Sequence, residues 1–383
     1  MFVPFELRFM RVLHFYKDYF PDTMGGVEQV IRQMCVGTGR LGVRNEVLTL
    51  TANRDLRPFE FEGHTVRRVT RDMNIASNGI SFAAFGELRR RAAECDVVHY
   101  HFPWPFMDLA HFVARIDKPT LVTYHSDIVR QKTLLRLYQP LKHKFLRSVD
   151  NIVATSPNYL ASSAVLDRYR DKTRTITYGL DKSIYPPPEP ARLDKWRAAV
   201  GEKFFLFVGV LRYYKGLHIL LDAVAGSDYP VVIVGAGPIE EELKAHAARL
   251  GLKHVMFVGA LDDADKVALL TLCYAVAFPS HLRSEAFGIS LLEGAMYGKP
   301  MISSEIGTGT SYINIHDETG LVVPPSDPQA FGAAMRTLWD NPALAQAMGR
   351  RAEARYQQLF TAERMAASYL ALYQELVSRR AGR

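Results

Sequence analysis

The sequence predicts an α/β fold with two parallel sheets, each flanked by helices. Short β-branched or aromatic runs alternate with segments of helical length along all 383 residues, and this alternation is typical of parallel α/β layers. The chain is long for a single core, and a prior of about 150 residues per domain favours two domains. The proline-rich segment DKSIYPPPEP at 181–190 stiffens and extends the backbone. It predicts a hinge between the two halves.

Each half contains five strand-like runs, so we expect one sheet per half. In the first half the runs are RVLHFY, EVLTLT, VVHYHF, TLVTYH and NIVATS. In the second half they are FFLFVG, VVIVGAG, HVMFVGA, YAVAFPS and GLVVPP. The segment from Ala362 to Arg379 carries apolar residues at helical spacing, among them Met365, Leu372 and Leu376. This spacing predicts a terminal helix.

Composition and charge limit the possible classes of function but do not distinguish among those that remain. The net charge is +7 and the pI is near 9.2, which fits nucleic acid, an anionic membrane or phosphate-bearing ligands. Cys35, Cys95 and Cys273 lack metal-ligand and disulfide spacing, so we expect free thiols and a reducing cytoplasm. No apolar run approaches the ~18–20 residues that span a bilayer, and the start MFVPFELRFM lacks the order of a signal peptide. These features predict a soluble or peripheral protein.

The most informative motif is a pair of carboxylates in SEAFGISLLEGAMYGKP, just after the run YAVAFPS. Seven residues lie between Glu285 and Glu293, and on one helix the two would be roughly 12 Å apart along the axis. The paired carboxylates of a retaining glycosidase lie about 5–5.5 Å apart across a single bond. Glu285 and Glu293 are therefore expected to hold opposite ends of an elongated ligand. Phe287-Gly288 predicts that the helix begins only after Glu285, and a helix start favours anions.

With Ser284, Phe287-Gly288 and the terminal Gly298-Lys299-Pro300, this motif resembles the E-x(7)-E signature of retaining glycosyltransferases of the GT-B fold, family 4. A bare E-x(7)-E would more often be two solvated glutamates beside a core helix. The surrounding residues make the family resemblance the favoured interpretation.

The resemblance implies a GT-B fold, with two Rossmann-like domains facing a cleft and a C-terminal helix crossing back to the first domain. Residues 1–185 would form the acceptor-side domain, with about 362–383 packing on it, and 186–361 would bind the nucleotide-sugar donor. Glu285 would contact the donor sugar and Glu293 the nucleotide ribose. The donor site would also include Phe287, Gly288 and Ile289.

Two further loops contain residues suited to a diphosphate. Gly25-Gly26 precede an amphipathic helix beginning near Val27, where backbone N–H groups can approach a phosphate. A turn that needs positive φ explains these glycines equally well, but the resemblance favours contact with the donor diphosphate. Arg212 and Lys215 follow the run FFLFVG, and ligands of α/β sheets collect at the carboxyl ends of strands. They would neutralise a pyrophosphate leaving group; as an alternative, both are solvated loop charges.

Histidines end two strands of the first half. His125 closes TLVTYH, where a polar cap is the common role, but the resemblance puts it beside the anomeric carbon and the acceptor. His101, in VVHYHF, is predicted to be structural. The VGAG turn lacks the third glycine of a dinucleotide fingerprint, because Glu240 takes its place. It is interpreted as a turn near the nucleotide, with Leu261 lining the base.

Residues 130–147, RQKTLLRLYQPLKHKFLR, contain six Lys/Arg, no acids and interspersed apolar residues. Basic amphipathic segments bind anionic membrane surfaces, although an ordinary surface helix broken near Pro140 has a similar pattern. An enzyme with a lipid-anchored acceptor would need such a face. Peripheral attachment to the inner face of the cytoplasmic membrane is therefore the favoured interpretation.

The resemblance covers nearly the whole chain from Met10, and the first nine residues are interpreted as an upstream start or extension. HFYKDYFPDTMGGVEQVI and SSEIGTGTSYINIHDETGLVVPP look most like bacterial O-antigen mannosyl- and rhamnosyltransferases. This implies GDP-mannose, or a related GDP-6-deoxyhexose, as donor and an undecaprenyl-diphosphate-linked glycan as acceptor. It also implies retention, no cofactor and no metal.

Other functions remain open. They are a UDP-sugar-dependent relative, a GT-B phosphorylase or sugar-nucleotide epimerase, and a non-catalytic basic protein that binds membrane or nucleic acid.

Overall fold

The protein, seen in a computed structural model that describes residues 9–75, 78–128 and 132–382, divides into two compact units. Unit 1 contains Met1–Thr155, Ser163–Gly179 and Ala362–Arg383, and unit 2 contains Ser156–Ser162 and Leu180–Thr361. The proline-rich segment 181–190 therefore belongs to unit 2, and the boundary precedes it. Residues 1–8, most of the predicted extension, lie outside the described part of the chain.

Unit 1 is built on an eight-stranded sheet with strand order β10-β9-β8-β7-β1-β2-β4-β3. Its strands are β1 (Arg11–Phe15), β2 (Arg44–Thr51), β3 (Phe59–Phe61), β4 (His64–Thr70), β7 (Val97–Phe102), β8 (Thr120–Tyr124), β9 (Asn151–Ala154) and β10 (Thr173–Thr175). A separate antiparallel pair is formed by β5 (Met73–Ile75) and β6 (Asn78–Ile80). The large sheet is parallel except at its edge, where β3 runs antiparallel to β4.

Unit 2 contains a six-stranded parallel sheet with strand order β13-β12-β11-β14-β15-β16. The strands are β11 (Phe205–Val208), β12 (Val231–Val234), β13 (Val255–Gly259), β14 (Ala275–Phe278), β15 (Met301–Ser304) and β16 (Gly320–Val323). All residues of β12, β14 and β15 are buried, as expected for parallel strands covered by helices on both faces.

The helices alternate with these strands, which confirms the predicted α/β class. They are α1 (Gly26–Arg40), α2 (Phe82–Glu94), α3 (Pro105–Val113), α4 (Lys132–Ser148), α5 (Pro157–Ser162), α6 (Ala164–Asp167), α7 (Pro190–Val200), α8 (Leu217–Ala223), α9 (Glu240–Arg249), α10 (Asp263–Leu272), α11 (Ile289–Met296), α12 (Thr310–Ile313), α13 (Pro328–Asp340), α14 (Pro342–Leu359) and α15 (Ala362–Ala381). Short 3-10 helices cover Arg170–Lys172, Lys182–Ile184 and Tyr213–Lys215.

The terminal helix α15 lies against α1 within unit 1. Gly37 makes this close packing possible, because a Cβ at that position would lie 2.8 Å from the Cβ of Ala366. Tyr369 and Tyr373 of α15 are fully buried and reach polar side chains of the sheet. The helix is therefore fixed to unit 1 by both apolar and polar contacts.

Three smaller expectations also have an outcome. The three cysteines are free and buried, as predicted. Helix α4 continues through Pro140, so the predicted break there is wrong. None of the described helices combines the length and the apolarity that crossing a bilayer requires.

Candidate functional site

The strand order of unit 2 reverses between β11 and β14, which are neighbours in the sheet. In open α/β sheets, ligands bind beyond the carboxyl ends of the strands at such a switch point. The loop after β11 carries Lys215, and the loop after β14 carries Glu285. Two residues that the sequence singled out separately thus lie at the same edge of one sheet.

Lys215 and Glu285 form a direct ion pair between Nζ and Oε2. Each residue is only 9% exposed, and the hydroxyl of Ser280 donates a further hydrogen bond of 3.4 Å to the same carboxylate oxygen. Burial alone would lower the pKa of Lys215, but the Glu285 carboxylate outweighs it and leaves the pKa raised. Lys215 is therefore a fixed cation, and its charge is balanced by the carboxylate predicted to contact a sugar.

Gly216 brings the two loops together. It has a φ of +69°, and a Cβ there would lie 2.1 Å from the carbonyl oxygen of Pro279 in the other loop. No side chain fits between these backbones, and positive φ disfavours other residues. The contact between Lys215 and Glu285 thus depends on a glycine beside the lysine.

Glu293 is held in a second buried cluster. It is the fifth residue of α11 and 4% exposed, and its Oε1 accepts bonds from Lys266 Nζ at 3.0 Å and from Tyr185 Oη at 3.1 Å. Burial would lower the pKa of Lys266, but Glu293 and Asp263 outweigh it and the pKa is raised. Glu285 precedes α11, as the sequence predicted, so the two carboxylates are not on one helix.

Sequence reasoning missed Lys266 and Tyr185. Lys266 lies in α10 and also pairs with Asp263 at 2.9 Å, and its ammonium group lies 5.1 Å from the centre of the Tyr185 ring. Tyr185 belongs to the segment 181–190, which the sequence marks only as a hinge. A lysine in a helix and a tyrosine beside prolines carry no local signal; only their contacts with Glu293 reveal them.

Other predicted donor-site residues lie around the same edge. Arg212 is exposed and precedes the 3-10 helix that contains Lys215. Leu261 lies half-buried between β13 and α10. Both follow strands of the unit 2 sheet, but their roles toward a ligand stay predictions.

The turn before α11 uses Phe287 for packing. Its side chain is 2% exposed and lies 6.2 Å from the ring of Phe360, so only its backbone is suited to ligand contact. Gly288 has a φ of +96° and forms the N-cap of α11, and Ile289 is the first residue of that helix. Free N–H groups at such a helix start favour an anion.

The VGAG turn has a packing role. A Cβ on Gly235 would lie 2.0 Å from the carbonyl oxygen of Gly209, and one on Gly237 would lie 2.4 Å from that of Leu211. The loop after β12 therefore contacts the loop after β11 through its backbone. This explains both glycines without a dinucleotide fingerprint.

In unit 1, Gly25 and Gly26 lie at the start of α1, as predicted. Gly25 has a φ of −110°, so the positive-φ explanation is wrong. A Cβ on Gly25 would instead lie 2.5 Å from Glu28 Oε2, a carboxylate that also accepts a bond of 3.2 Å from Thr23. Burial raises the pKa of Glu28. Because two anions repel, diphosphate binding at this helix start requires Glu28 to be protonated or to move.

His125 follows β8 in unit 1 and is 3% exposed. Its Nδ1 contacts the hydroxyl of Tyr178, and its Nε2 lies 3.0 Å from Nδ1 of His101. Burial lowers the pKa of His125 to about 3, so the ring is neutral at physiological pH. His101 is fully buried, which fits the structural role predicted for it.

Comparison with known proteins identifies the family. The model described as Glycosyltransferase Family 4 matches residues 24–183, and Glycosyl transferases group 1 matches 190–355. The chain is 65% identical to D-rhamnosyltransferase WbpZ of Pseudomonas aeruginosa, over 92% of this chain and 93% of that one.

It is also 50% identical to O-antigen chain mannosyltransferase C of Escherichia coli, over 96% of this chain and 99% of that one. The structure of a sucrose-phosphate synthase from Thermosynechococcus elongatus is similar, with a TM-score of 0.80 over 97% of this chain and 100% of that one. The two sequences are only 20% identical, so this likeness supports the GT-B fold alone. The chain therefore belongs to the family 4 glycosyltransferases of the GT-B fold.

Proposed function

We propose that this glycosyltransferase moves a hexose of the D-manno configuration, D-rhamnose or mannose, from a GDP-sugar to a lipid-linked glycan during O-antigen synthesis. The observation that carries the proposal is the Lys215–Glu285 pair at the switch point of unit 2. This pair offers a cation to a diphosphate and a carboxylate to sugar hydroxyls side by side. The choice of sugar rests on the names of the two relatives at 65% and 50% identity.

In the proposed reaction the bond between the anomeric carbon and the diphosphate breaks, and the acceptor oxygen bonds to that carbon from the same face. The acceptor proton passes to the departing diphosphate, and the configuration is retained. Lys215, Arg212 and the N–H groups at the start of α11 stabilise the negative charge that develops on the leaving group. Because protein cations carry this charge, we expect transfer to continue in the presence of EDTA.

The roles of the two glutamates differ. Glu285 holds sugar hydroxyls or the developing positive charge, and Glu293 takes the ribose hydroxyls. Lys266 and Tyr185 orient Glu293 by bonding to the same oxygen, Oε1, and Oε2 is then the oxygen offered to the ribose. Lys215 and Lys266 are neutralised by their glutamates, so the exposed Arg212 supplies additional positive charge for the diphosphate.

Thermal-shift measurements with GDP, UDP and their sugars test the donor assignment. A ligand at 100 times its dissociation constant stabilises a protein by about 2.7 kcal/mol, so we expect GDP to raise the Tm by several degrees and UDP to raise it far less. Turnover of GDP-D-rhamnose and GDP-mannose on the same acceptor then separates the two sugars. The 65% identity to a D-rhamnosyltransferase leads us to expect faster turnover of GDP-D-rhamnose.

Each competing function gives a different result in these assays. A UDP-selective shift would replace the donor assignment with a UDP-sugar-dependent one. Release of sugar from a labelled donor by inorganic phosphate would indicate a phosphorylase, and interconversion of the donor with no acceptor would indicate an epimerase. Salt-dependent oligonucleotide binding without any nucleotide-sugar shift would favour a non-catalytic binding protein.

Membrane attachment is proposed through adjoining surfaces of α3 and α4, which contact each other in unit 1. Leu137 of α4 is 79% exposed, and Leu109 and Val113 of α3 are 43% and 48% exposed. Lys144 and Arg147 of α4 are also exposed. Exposed apolar side chains and cations on two helices in contact are suited to the headgroup region of an anionic bilayer, and the net charge of +7 has the matching sign.

Co-sedimentation with lipid vesicles tests this surface. We expect the protein to bind vesicles that contain phosphatidylglycerol, less so at high salt because screening weakens exposed charges, and not to bind pure phosphatidylcholine. Leu137→Glu should reduce binding severalfold. Leu344→Glu is the matched control, because Leu344 is an exposed leucine of α14 in unit 2. Equal binding of both variants would contradict the assignment.

A further inference from the structure

A chain of hydrogen bonds runs through the interior of unit 1 from Tyr178 to Asn45. It passes from the Tyr178 hydroxyl to His125, from His125 Nε2 to His101 Nδ1 at 3.0 Å, from His101 Nε2 to His14 Nδ1 at 3.1 Å, and from His14 Nε2 to Asn45 Oδ1 at 3.2 Å. All five residues are at most 5% exposed. His14 lies in β1, His101 lies in β7 and His125 directly follows β8, and these three strands are neighbours in the sheet.

The direction of every proton in this chain is fixed by its Asn45 end. Asn45 Nδ2 donates to the carbonyl of Cys35 and to Thr38 Oγ1, each at 2.9 Å, and Thr38 itself donates to the carbonyl of Met34. These bonds identify which atom of the Asn45 side-chain amide is the nitrogen. The other atom is the oxygen Oδ1, which must accept from His14 Nε2–H.

A neutral imidazole has one donor and one acceptor nitrogen. Once the donor nitrogen of His14 is known, the donor and acceptor nitrogens of each following ring are therefore known as well. His14 Nδ1 accepts from His101 Nε2–H, His101 Nδ1 accepts from His125 Nε2–H, and His125 Nδ1 accepts from Tyr178. Every nitrogen has one partner when all three rings are neutral. A proton added to His125 Nδ1 would require the Tyr178 hydroxyl to accept instead of donate, and one added to Nδ1 of His14 or His101 would oppose the N–H group of the neighbouring ring.

The same assignment argues against two other interpretations. The rings of His14, His99 and His101 are close enough to bind a metal ion, but hydrogen bonds occupy the lone pairs that a metal would need. His99 Nε2 accepts from Thr123 at 2.7 Å, because His99 Nδ1 donates to Tyr373, whose own hydroxyl donates to Met34 Sδ. The chain is not a route for protons either, since it ends on an amide oxygen that cannot take one.

We propose that Tyr178, His101, His14 and Asn45 are positioning residues that hold the His125 ring in its neutral Nε2–H tautomer and in one orientation. Both nitrogens of His125 are occupied within unit 1, so His125 acts on the substrate through its backbone or its ring, without giving or taking a proton. This inference rests on the proposed function only in that the family resemblance implies a place for His125 beside the anomeric carbon of the transferred sugar. Burial supports the neutral state, because it lowers the pKa of His14 to about 3 and that of His101 below its usual value.

The test compares His101→Leu with His99→Leu. The two histidines are both fully buried on β7, with ring centres 4.5 Å apart, but only His101 belongs to the chain. Nitrogen NMR of protein with labelled histidine reports the tautomer of each ring, and kinetics with the GDP-sugar give kcat and KM. His101→Gln provides a conservative variant, since a carboxamide supplies both a donor and an acceptor.

In the wild type we expect His125 to give the signature of the Nε2–H tautomer. In His101→Leu this signature should be lost, and kcat should fall on the order of 10- to 100-fold, the cost of a misplaced group near the reaction, with the donor KM almost unchanged. His101→Gln should restore much of kcat and the tautomer. His99→Leu should lower stability but preserve both.

Each remaining outcome also decides the proposal. If NMR shows that wild-type His125 is charged or is the Nδ1–H tautomer, the proposed hydrogen-bond chain is wrong. An unchanged His125 tautomer in His101→Leu would contradict it as well. Loss of the tautomer with an unchanged kcat overturns the positioning role while the proposed transfer stands. Absence of transferase activity in the wild type contradicts the proposed function, whereas the NMR result still decides the hydrogen-bond chain.

Discussion

Glu285→Gln is expected to reduce kcat/KM by about 10²–10³-fold, the usual cost of losing one preorganised electrostatic contact. The amide keeps the shape of the side chain and can still accept a bond from Lys215, so the variant should fold. What it loses is the negative charge that balances Lys215 and that is proposed to face the sugar. Steady-state kinetics with the GDP-sugar measure the effect, and the dissociation constant for GDP alone should change little, since GDP has no sugar at that position.

Glu285→Ala is expected to have a second, separate effect on stability. The two side chains are each 11% exposed, and removing one partner of a buried ion pair costs about 3–5 kcal/mol because the other charge is left unpaired. The double variant Lys215→Met/Glu285→Leu removes both charges and should regain most of this stability without regaining activity. Urea unfolding measures the free energy of unfolding for each variant.

Glu241→Ala serves as the control. Glu241 pairs with Lys244 at 3.3 Å, but its side chain is 90% exposed, so we expect less than about 1 kcal/mol from that pair. Full transfer activity in Glu285→Gln would reject the role of Glu285. A double variant no more stable than Glu285→Ala would show that the pair is not the source of the stability loss.

The sheets were predictable because their strands are continuous apolar runs. All ten runs read from the sequence are strands, but six further strands among the described residues were missed, and β4 and β15 are two of them. Strand β4 carries Arg67 and Arg68 in its middle, and β15 is the four-residue MISS, so neither has the composition that marks a buried strand. Both are recognisable only once their neighbours in the sheet are known.

The candidate site was predictable only for residues that a motif marks. Glu285, Glu293 and Lys215 belong to motifs, but the bond between Glu293 and Tyr185 joins residues 108 positions apart. Similarly, His14 and His101 meet because β1 pairs with β7, a strand order that local sequence does not encode. The partners that orient a site therefore depend on topology, whereas the motif itself can be read from the chain.

Glu293→Gln is expected to raise the dissociation constant of GDP and of the GDP-sugar by the same factor, about 10- to 100-fold. A hydrogen bond to a charged group contributes about 1.5–3 kcal/mol, and the amide no longer offers a charged Oε2 to the ribose. Because the ribose is present in both ligands, the loss should appear equally in both. Calorimetric titration measures the two constants, and this pattern differs from that of Glu285→Gln, which affects only the sugar-bearing ligand.

Lys266→Met tests whether GDP binding depends on the orientation of Glu293 by Lys266, because Glu293 itself is kept. It leaves Glu293, which is 4% exposed, with Tyr185 as its remaining bond to Oε1 among those described, so we expect about 3 kcal/mol of lost stability as well as weaker GDP binding. Tyr185→Phe removes one hydroxyl donor and should cost about 1 kcal/mol, with a smaller loss of affinity. If Glu293→Gln lowers stability but leaves both dissociation constants unchanged, Glu293 serves only the buried cluster. Other groups at the edge of the unit 2 sheet must then bind the ribose. The first candidate is the loop around Leu261, which directly precedes α10, the helix that carries Lys266.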